Sequence, residues 1–406
     1  MRPLQGITVV AVEQAVAAPF ATRQLADWGA RVIKIERPGS GDFGRYYDQA
    51  VHGLASYFVW LNRAKESLAL DLKAPAGSEI LHRLLERADV LVENLAPGAL
   101  ARLGFSDQAL RDRYPRLIVA HVSGYGRDGP YADRKAYDLL VQSEAGFLSV
   151  TGTPETPSKA GISIADIAAG MYTAMGVLLA LGQRARAGTG QVVDVSMLDA
   201  LGEWMTHAAY LAAYGGSAPA RTGAHHATIV PYGVYPTGDG ERVFIAVQTD
   251  AEWERFCREV IERPDLVSQD LAGHARRLQQ RPRVDAAIVA AFARMDRTTL
   301  EARLTGARIA YAAYRDLTGF WHHPQLEARR RWWELEVRGG TVRAPFPPID
   351  LSDAQPVAGS VPEVGQHTDQ ILGELGCDVG ARRRLRVQGT TGPTDEGGAH
   401  ERMHSH

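Results

Sequence analysis

A single carboxylate, Asp166, precedes a long apolar helical pattern in the sequence. It follows Ile162, Ile164 and Ala165, and no other acidic residue occurs between positions 167 and 184. Aspartate is a favoured helix N-cap, which gives one structural interpretation of this residue. A carboxylate kept ionised by helix N-terminal amides on a partly apolar floor is also a candidate nucleophile or base. The pattern alone leaves both roles open.

Three basic side chains follow predicted strands elsewhere in the first half of the chain. Arg37 follows one strand, Arg102 follows a second together with Asn94, and Lys135 follows a third with Tyr137 beside it. Ligands of parallel α/β sheets bind beyond the carboxyl ends of the strands, where an arginine fork suits phosphate. Each segment is equally compatible with a solvated loop or an ordinary strand-to-helix turn. Together the three cations would suit a nucleotide with several phosphates.

Two adjacent histidines, His225 and His226, lie in the segment "TGAHHATIVPYG". Neighbouring residues of a strand point to opposite faces, and no carboxylate or cysteine lies at metal-ligand spacing from the pair. We therefore predict no metal site and expect these histidines to be loop residues or to contact substrate. The sequence contains no GxSxG elbow, P-loop, HExxH or kinase signature.

The order of predicted elements indicates an α/β fold. The first two hundred residues alternate β-branched runs with helical patterns, as expected for a Rossmann-like large domain with a parallel sheet, here placed at 1–210. No GxGxxG follows the first strand, so the fold gives no argument for NAD. Turn-forming residues then mark a smaller α+β domain at 222–325, with a hairpin at 238–240. A second hairpin is predicted within 331–351, and the polar composition of 390–406 predicts a disordered tail.

Composition excludes several classes of function. The chain has 406 residues, with 45 basic and 47 acidic side chains, so it has no overall charge for binding nucleic acid or an anionic membrane. Cys257 and Cys377 are too few for a disulfide framework, which fits a reducing cytoplasm. We expect no signal peptide. The most apolar helical stretch, 171–181, is shorter than the roughly 20 residues that a membrane span needs, and predicts a core helix.

Taken together, these segments resemble the family III CoA-transferases, also called the CaiB/BaiF family. They occur in the family's order from about residue 5 to 377, and they are "APFATRQLADWGARVIKIERPGSGD", "NRAKESLALDLK", "DVLVENLAPGALARLGF", "SGYGRDGP", "ISIADIAAGMYTAMGVLLAL", "TGQVVDVSMLDA", "VPYGVYPTGDG" and "PEVGQHTDQIL". The resemblance implies that Asp166 is the catalytic aspartate. In the family this carboxylate forms a mixed anhydride with the donor acyl group, then an aspartyl-CoA thioester, from which the acceptor acid takes CoA.

The resemblance also implies a CoA site and an assembly. CoA is expected as a substrate, with no other cofactor. The large domain is expected to be completed by about 330–385, and two chains are expected to interlock like rings in a homodimer. The positions carried over for CoA binding are Val16, Arg37, Leu72, Asn94, Leu95, Ala99, Arg102, Leu103, Lys135 and Tyr137.

The substrates implied by the resemblance are acyl-CoA esters and carboxylic acids. The segment around His225 and His226 is most similar to members that use succinyl-CoA and short dicarboxylic acids, so both histidines are expected to contact substrate. The family also includes 2-methylacyl-CoA racemases, but these have a catalytic histidine where this chain has Tyr137, followed by Asp138. A racemase is one alternative, and a non-catalytic CoA-binding subunit of a heteromer is another.

Overall fold

The computed structural model describes residues 2–392, which form two compact units. The first unit comprises 2–145, 160–205 and 330–392, and the second comprises 146–159 and 206–329. Residues 146–159 belong to the second unit although they lie between two segments of the first. The two units are described separately.

The strands form a parallel sheet in the first unit and smaller antiparallel sheets. In the parallel sheet six strands lie in the order β3-β2-β1-β4-β5-β6, and β7-β8-β9 and β10-β11 are antiparallel. The strands are β1 (Thr8–Val12), β2 (Arg31–Glu36), β3 (Lys65–Ala69), β4 (Val90–Glu93), β5 (Ile118–Ser123), β6 (Val192–Ser196), β7 (Tyr232–Pro236), β8 (Arg242–Ala246), β9 (Ala310–Ala313), β10 (Trp332–Val337) and β11 (Gly340–Pro345). The α/β prediction and both predicted hairpins are confirmed.

Helices cover the strands and connect them. They are α1 (Ala17–Asp27), α2 (Ser56–Asn62), α3 (Pro75–Leu85), α4 (Ala99–Arg102), α5 (Asp107–Arg113), α6 (Asp138–Glu144), α7 (Phe147–Val150), α8 (Ile164–Ala187), α9 (Met197–Tyr214), α10 (Asp250–Arg255), α11 (His274–Gln279), α12 (Arg281–Phe292), α13 (Arg297–Gly306), α14 (Leu317–Trp321), α15 (Pro324–Ala328), α16 (Thr368–Glu374) and α17 (Val379–Val387).

The strand order places the binding crevice of the first unit. The central strands are buried on both faces, which explains why they consist of continuous β-branched and aliphatic runs. The order reverses direction between β1 and β4, which are hydrogen-bonded neighbours. In sheets of this order the reversal opens a crevice beyond the carboxyl ends of the two strands, where nucleotides bind.

Helix α8 packs against the start of α1 through small residues. A β-carbon at Gly170 would come within 2.6 Å of the carbonyl oxygen of Ala17, so a side chain there would push the two helices apart. The opposite side of α8 is not core, because Met171, Met175 and Leu179 are 48%, 49% and 67% exposed. The prediction of a core helix is therefore only half right. By length and composition alone α8 would also be able to cross a membrane, a property that many core helices share.

The second unit has its own core between a sheet and helices. The strands β7, β8 and β9 pack one face against α10, α12 and α13, with Trp253, Phe256 and Phe292 buried between them. The antiparallel pairing and the surrounding helices agree with the smaller α+β domain expected from the sequence.

The end of the described chain is ordered beyond the last predicted helix. Helix α17 was not expected, because its nine residues bury only Leu385. After it Thr390 and Thr391 are each 2% exposed, and the carbonyl of Thr390 accepts a hydrogen bond from the Asp71 amide at 2.8 Å. The disordered tail predicted at 390–406 is therefore wrong for 390–392, and its remainder lies outside the described residues.

Candidate active site

Asp166 lies in the first turn of α8, on the side that faces α1. It is the third residue of the helix, and Gly170 lies one turn further along the same face. Because Gly170 contacts the start of α1, the Asp166 side chain lies near the carboxyl end of β1. The neighbouring Ile167 packs against Val16 and Leu61, which supplies an apolar floor beside the carboxylate.

The helix start is capped by another residue. The N-cap position of α8 is Ser163, whose side chain makes no capping hydrogen bond. Instead, Oδ1 of Asp138, at the start of α6, accepts hydrogen bonds from the backbone N–H groups of Ala165 and Asp166, at 2.8 and 3.3 Å. The other oxygen of Asp138 accepts from Nε2 of Gln142 at 2.6 Å. The N-cap interpretation of Asp166 is therefore wrong, and Asp138 performs that role from α6.

This arrangement leaves the Asp166 carboxylate without hydrogen-bond donors. None of the described residues donates to its oxygens, although its own backbone N–H is bound to Asp138. Burial raises the pKa of Asp166 to about 7, and the nearby negative charge of Asp138 contributes to the increase. A carboxylate with these properties is a stronger base and nucleophile than a solvated one.

The turn between β1 and α1 borders the same region and is held from two sides. Ala15 has a φ of 61°, an unfavourable conformation for a residue with a β-carbon. Its N–H donates to Oδ1 of Asp42 at 3.0 Å. The amide of Asn94 forms two hydrogen bonds with the backbone of Gln14, at 2.9 and 2.8 Å. These contacts fix the position of Val16, which is 4% exposed at the start of α1.

A group of buried charges beneath this turn anchors Asp42. The ammonium of Lys34 donates to Asp42 at 2.8 Å, and Lys65 donates to Glu13 at 2.7 Å. Burial lowers the pKa of Lys65 to about 8. Burial alone would raise the pKa of Glu13, but the adjacent Lys65 and Lys34 charges bring it below its ordinary value. Removing one member would leave an uncompensated buried charge, so the group is expected to be structural.

The turn after β4 is fixed by a histidine that sequence reasoning missed. His121 on β5 contacts Glu93 through Nδ1 at 2.6 Å and Asp107 through Nε2 at 2.8 Å. The other Glu93 oxygen accepts a hydrogen bond from the N–H of Leu95 at 2.8 Å. Nothing in the sequence separates His121 from an ordinary strand residue, because its two partners, Glu93 and Asp107, come from two other segments of the chain.

The positions predicted for CoA lie along the carboxyl edge of the parallel sheet. Arg37 follows β2, Leu72 follows β3, and Lys135 and Tyr137 precede α6. The remaining ones are Val16 at α1, Asn94 and Leu95 after β4, Ala99 and Arg102 within α4, and Leu103 after it. Arg37, Arg102, Lys135 and Tyr137 are exposed, and the Arg102 guanidinium donates to the carbonyl of Pro97 at 3.1 Å. The Asn94 amide already binds Gln14, so it borders the crevice mainly as a support.

The two predicted substrate histidines belong to the second unit. The ring of His226 stacks on Tyr232, whereas the ring of His225 meets Tyr235 edge-on, each with 5.2 Å between ring centroids. Tyr232 and Tyr235 are three positions apart on β7, so their side chains point to opposite faces of the strand. The two histidines therefore also lie on opposite faces, as expected for adjacent residues. Within residues 2–392 no group of three or more His, Cys, Asp or Glu side chains is arranged to hold a metal ion.

Comparison with known proteins identifies related chains of almost the same length. A family model described as CoA-transferase family III matches residues 4–368. The succinate–glutarate CoA-transferase of Agrobacterium fabrum is 32% identical over 383 residues, covering 92% of this chain and 96% of that protein. The succinyl-CoA–L-malate CoA-transferase alpha subunit of Chloroflexus aurantiacus is 32% identical over 395 residues, covering 95% and 91%. A solved CAIB/BAIF family protein from Brucella suis has a TM-score of 0.81 at 30% identity, covering 92% of this chain and 99% of that chain.

The environment of Asp166 predicts a pH-dependent cost to folding. Between about pH 4 and pH 7 the folded chain keeps a proton on Asp166 that the unfolded chain has lost, so stability falls as the pH rises through this range. At about 1.4 kcal/mol per pKa unit, Asp166→Asn should be more stable than wild type by roughly 2–4 kcal/mol above pH 7. Denaturant unfolding of both proteins at several pH values measures the difference.

The difference in stability between wild type and Asp166→Asn should shrink as the pH falls towards about 4, because Asp166 is then protonated in the folded chain and becomes protonated in the unfolded chain as well. The matched control is Asp133→Asn, in an exposed loop, which should retain the pH dependence of the wild type. Parallel stability curves for wild type and Asp166→Asn would contradict a strongly raised pKa.

Proposed function

This chain belongs to CoA-transferase family III and is an enzyme of that class, and from this premise we propose that it transfers CoA from succinyl-CoA or a similar ester to a short dicarboxylic acid, with Asp166 as the nucleophile. The names of two relatives, a succinate–glutarate and a succinyl-CoA–malate CoA-transferase, support the proposed substrate class. The observation that carries the role of Asp166 is its partly buried carboxylate, which accepts no hydrogen bond from the described residues and lies near the turn between β1 and α1.

The proposed reaction proceeds through two kinds of covalent intermediate. A carboxylate oxygen of Asp166 attacks the thioester carbon of the donor, the C–S bond breaks, and CoA leaves as a thiolate. The thiolate then attacks the Asp166 carbonyl of the anhydride, which releases the donor acid and leaves an aspartyl-CoA thioester. The acceptor carboxylate attacks the carbonyl carbon of this thioester, the C–S bond breaks, and CoA leaves again as a thiolate, which gives a second anhydride. Finally the thiolate attacks the acceptor carbonyl, which gives the new acyl-CoA and restores the Asp166 carboxylate.

The environment of Asp166 suits these steps in two ways. An ionised Asp166 is destabilised by burial and by Asp138, and this cost is relieved when the oxygen becomes part of a neutral anhydride or thioester. An anhydride is rapidly lost to water, so the partial burial of Asp166 also limits the access of water to the intermediate. Asp138 contributes to the first effect, because it occupies the helix N–H groups that would otherwise stabilise the ionised carboxylate.

We propose that CoA lies along the carboxyl edge of the parallel sheet. Arg37, Arg102 and Lys135 are exposed there after three different strands, and charge-assisted hydrogen bonds from such side chains suit the phosphates of CoA. The chemistry needs no group other than CoA itself.

The two alternatives meet specific objections. For a racemase, proton transfer at the α-carbon needs a base, but Tyr137 stands at the histidine position and both Asp138 oxygens already accept hydrogen bonds. A non-catalytic subunit gains some support because one relative is named as an alpha subunit. Activity of this chain on its own would separate that alternative from the proposed enzyme.

We propose that two copies associate through the exposed apolar face of α8. Met171, Met175, Leu178 and Leu179 form a stripe on this helix, and Trp204 on α9 is 44% exposed. A second copy is the occupant that would cover such a stripe in the homodimer expected for this family.

Sedimentation of the purified chain should give twice its mass of 44.1 kDa. The variant Leu179→Glu, which places a charge within the stripe, should shift the equilibrium towards single chains, whereas Arg186→Glu beyond the stripe should not. A wild-type chain that sediments at 44.1 kDa would contradict the proposal.

The function itself is tested by offering the pure chain succinyl-CoA with glutarate, malate, mesaconate or itaconate. Mass spectrometry of the products should detect the CoA ester of at least one acceptor. Asp166→Asn should fold yet lose turnover by at least about a thousandfold, because an amide forms neither the anhydride nor the thioester. Asp133→Asn should retain activity.

Three results would argue against this function. Full turnover in a folded Asp166→Asn variant would exclude the covalent role. Deuterium uptake at the α-carbon of a 2-methylacyl-CoA in D2O, without any acceptor acid, would favour the racemase. Absence of any transfer by the chain alone, restored by a second protein, would favour the heteromer.

A further inference from the structure

His121 is the centre of an ion network at the carboxyl edge of the parallel sheet, within the first unit. It lies on β5, and its register partners in the neighbouring strands are Glu93 on β4 and Asp194 on β6. Asp107 reaches the ring from the first turn of α5, and Arg127 lies in the loop after β5. His121 itself is 5% exposed. The reaction steps proposed above use none of these residues.

Both ring nitrogens of His121 meet a carboxylate. Nδ1 contacts Oε1 of Glu93 at 2.6 Å, and Nε2 contacts Oδ1 of Asp107 at 2.8 Å. A neutral imidazole has one N–H and one lone pair, so it donates to only one of these carboxylates. Its lone pair would then face an oxygen of the other carboxylate at hydrogen-bonding distance, which is repulsive. The two contacts together therefore require the imidazolium, which donates from both nitrogens.

The charges around the ring favour this protonated form. Burial would lower the pKa of His121, but the hydrogen bond and the charge of Glu93 raise it above its ordinary value; Asp107 adds to this increase, and Arg127 opposes it. Burial would raise the pKa of Asp107, but Arg127 and His121 bring it below its ordinary value, so this carboxyl is not the source of the proton. Asp194, the remaining charged neighbour, contacts Arg127 at 3.4 Å.

The network joins two segments along which CoA is proposed to lie. One oxygen of Glu93 contacts His121, and the other accepts the N–H of Leu95 at 2.8 Å, which fixes the turn after β4. Arg127 contacts Asp107 at 2.7 Å, which holds the loop between β5 and α6. A ring that loses its second proton can donate to only one carboxylate, so the connection between these two segments breaks.

We propose that His121 is a positioning residue for CoA, whose imidazolium form holds the turn after β4 and the loop after β5 in the arrangement that binds CoA esters. Binding of these esters then weakens as the pH rises and the ring loses its second proton. The connection with CoA rests on the function proposed above, whereas the proton-dependent link between Glu93 and Asp107 does not.

The first test measures KM for succinyl-CoA and for glutarate between pH 6 and pH 9. In the wild type, KM for succinyl-CoA should rise roughly five- to tenfold, because one charge-assisted hydrogen bond is lost. His121→Gln is neutral at every pH, so it should have the raised KM already at pH 6. Glu93→Gln removes the negative charge that most favours the imidazolium, so the rise should occur at lower pH. KM for glutarate should follow none of these changes.

His322→Gln, at an exposed histidine of the second unit, is the matched control and should behave as the wild type does. The inference is overturned if KM for succinyl-CoA does not change with pH in the wild type, or rises equally in His121→Gln. Should His121→Gln fail to fold, Glu93→Gln decides: a rise at lower pH supports the inference, and a rise at the same pH as in the wild type overturns it.

Hydrogen exchange of the full chain tests the link without turnover. Because the N–H of Leu95 is bonded to Glu93, the peptide that contains it should lose protection between pH 6 and pH 9, after correction for the intrinsic exchange rate at each pH. His121→Gln should show the lower protection at both pH values. If the wild type transfers no CoA, the proposed function fails and this measurement decides. Equal protection of the wild-type peptide at both pH values then overturns the link, and its loss at pH 9 supports it.

Discussion

The site depends on how the first turn of α8 satisfies its backbone. A helix start offers several N–H groups without partners in the helix, and these normally stabilise a nearby carboxylate. Here Asp138 on α6 takes two of them. Asp166, in the same turn, is left beside a negative charge and an apolar floor, with a pKa raised to about 7. One carboxylate caps the helix start, and the other has an ionised form that its surroundings destabilise.

The surrounding structure holds this arrangement in place. Gly170 lets α8 approach α1 closely, and the hydrogen bonds of Asp42 and Asn94 fix the turn that precedes α1. The buried charges of this region are paired, as Lys34 is with Asp42 and Lys65 is with Glu13. By contrast, the cations along the carboxyl edge of the sheet are exposed. Paired buried charges therefore fix the framework, and exposed ones remain available to a ligand.

Sequence reasoning predicted the features that arise from local or periodic patterns. The parallel sheet followed from β-branched runs that alternate with helices, and Asp166 was identifiable as an isolated acid before an apolar pattern. The capping role of Asp138 was not predictable, because N-cap rules assume a partner within a few residues and Asp138 lies 27 positions before Ala165. The pairing of Glu13 with Lys65 spans 52 positions and depends on strand order. The ring of His225 contacts Tyr235 and the ring of His226 stacks on Tyr232, and no spacing rule supplies these contacts.

The central claim is that Asp166 carries the acyl group and then CoA during turnover. It is tested most directly by trapping: the wild-type chain is mixed with succinyl-CoA, quenched with hydroxylamine or borohydride, digested, and analysed by mass spectrometry. The account predicts an adduct on the peptide that contains Asp166, formed only when the acyl-CoA is present. Transfer of CoA with that peptide unmodified, or an adduct on a different residue, would contradict it.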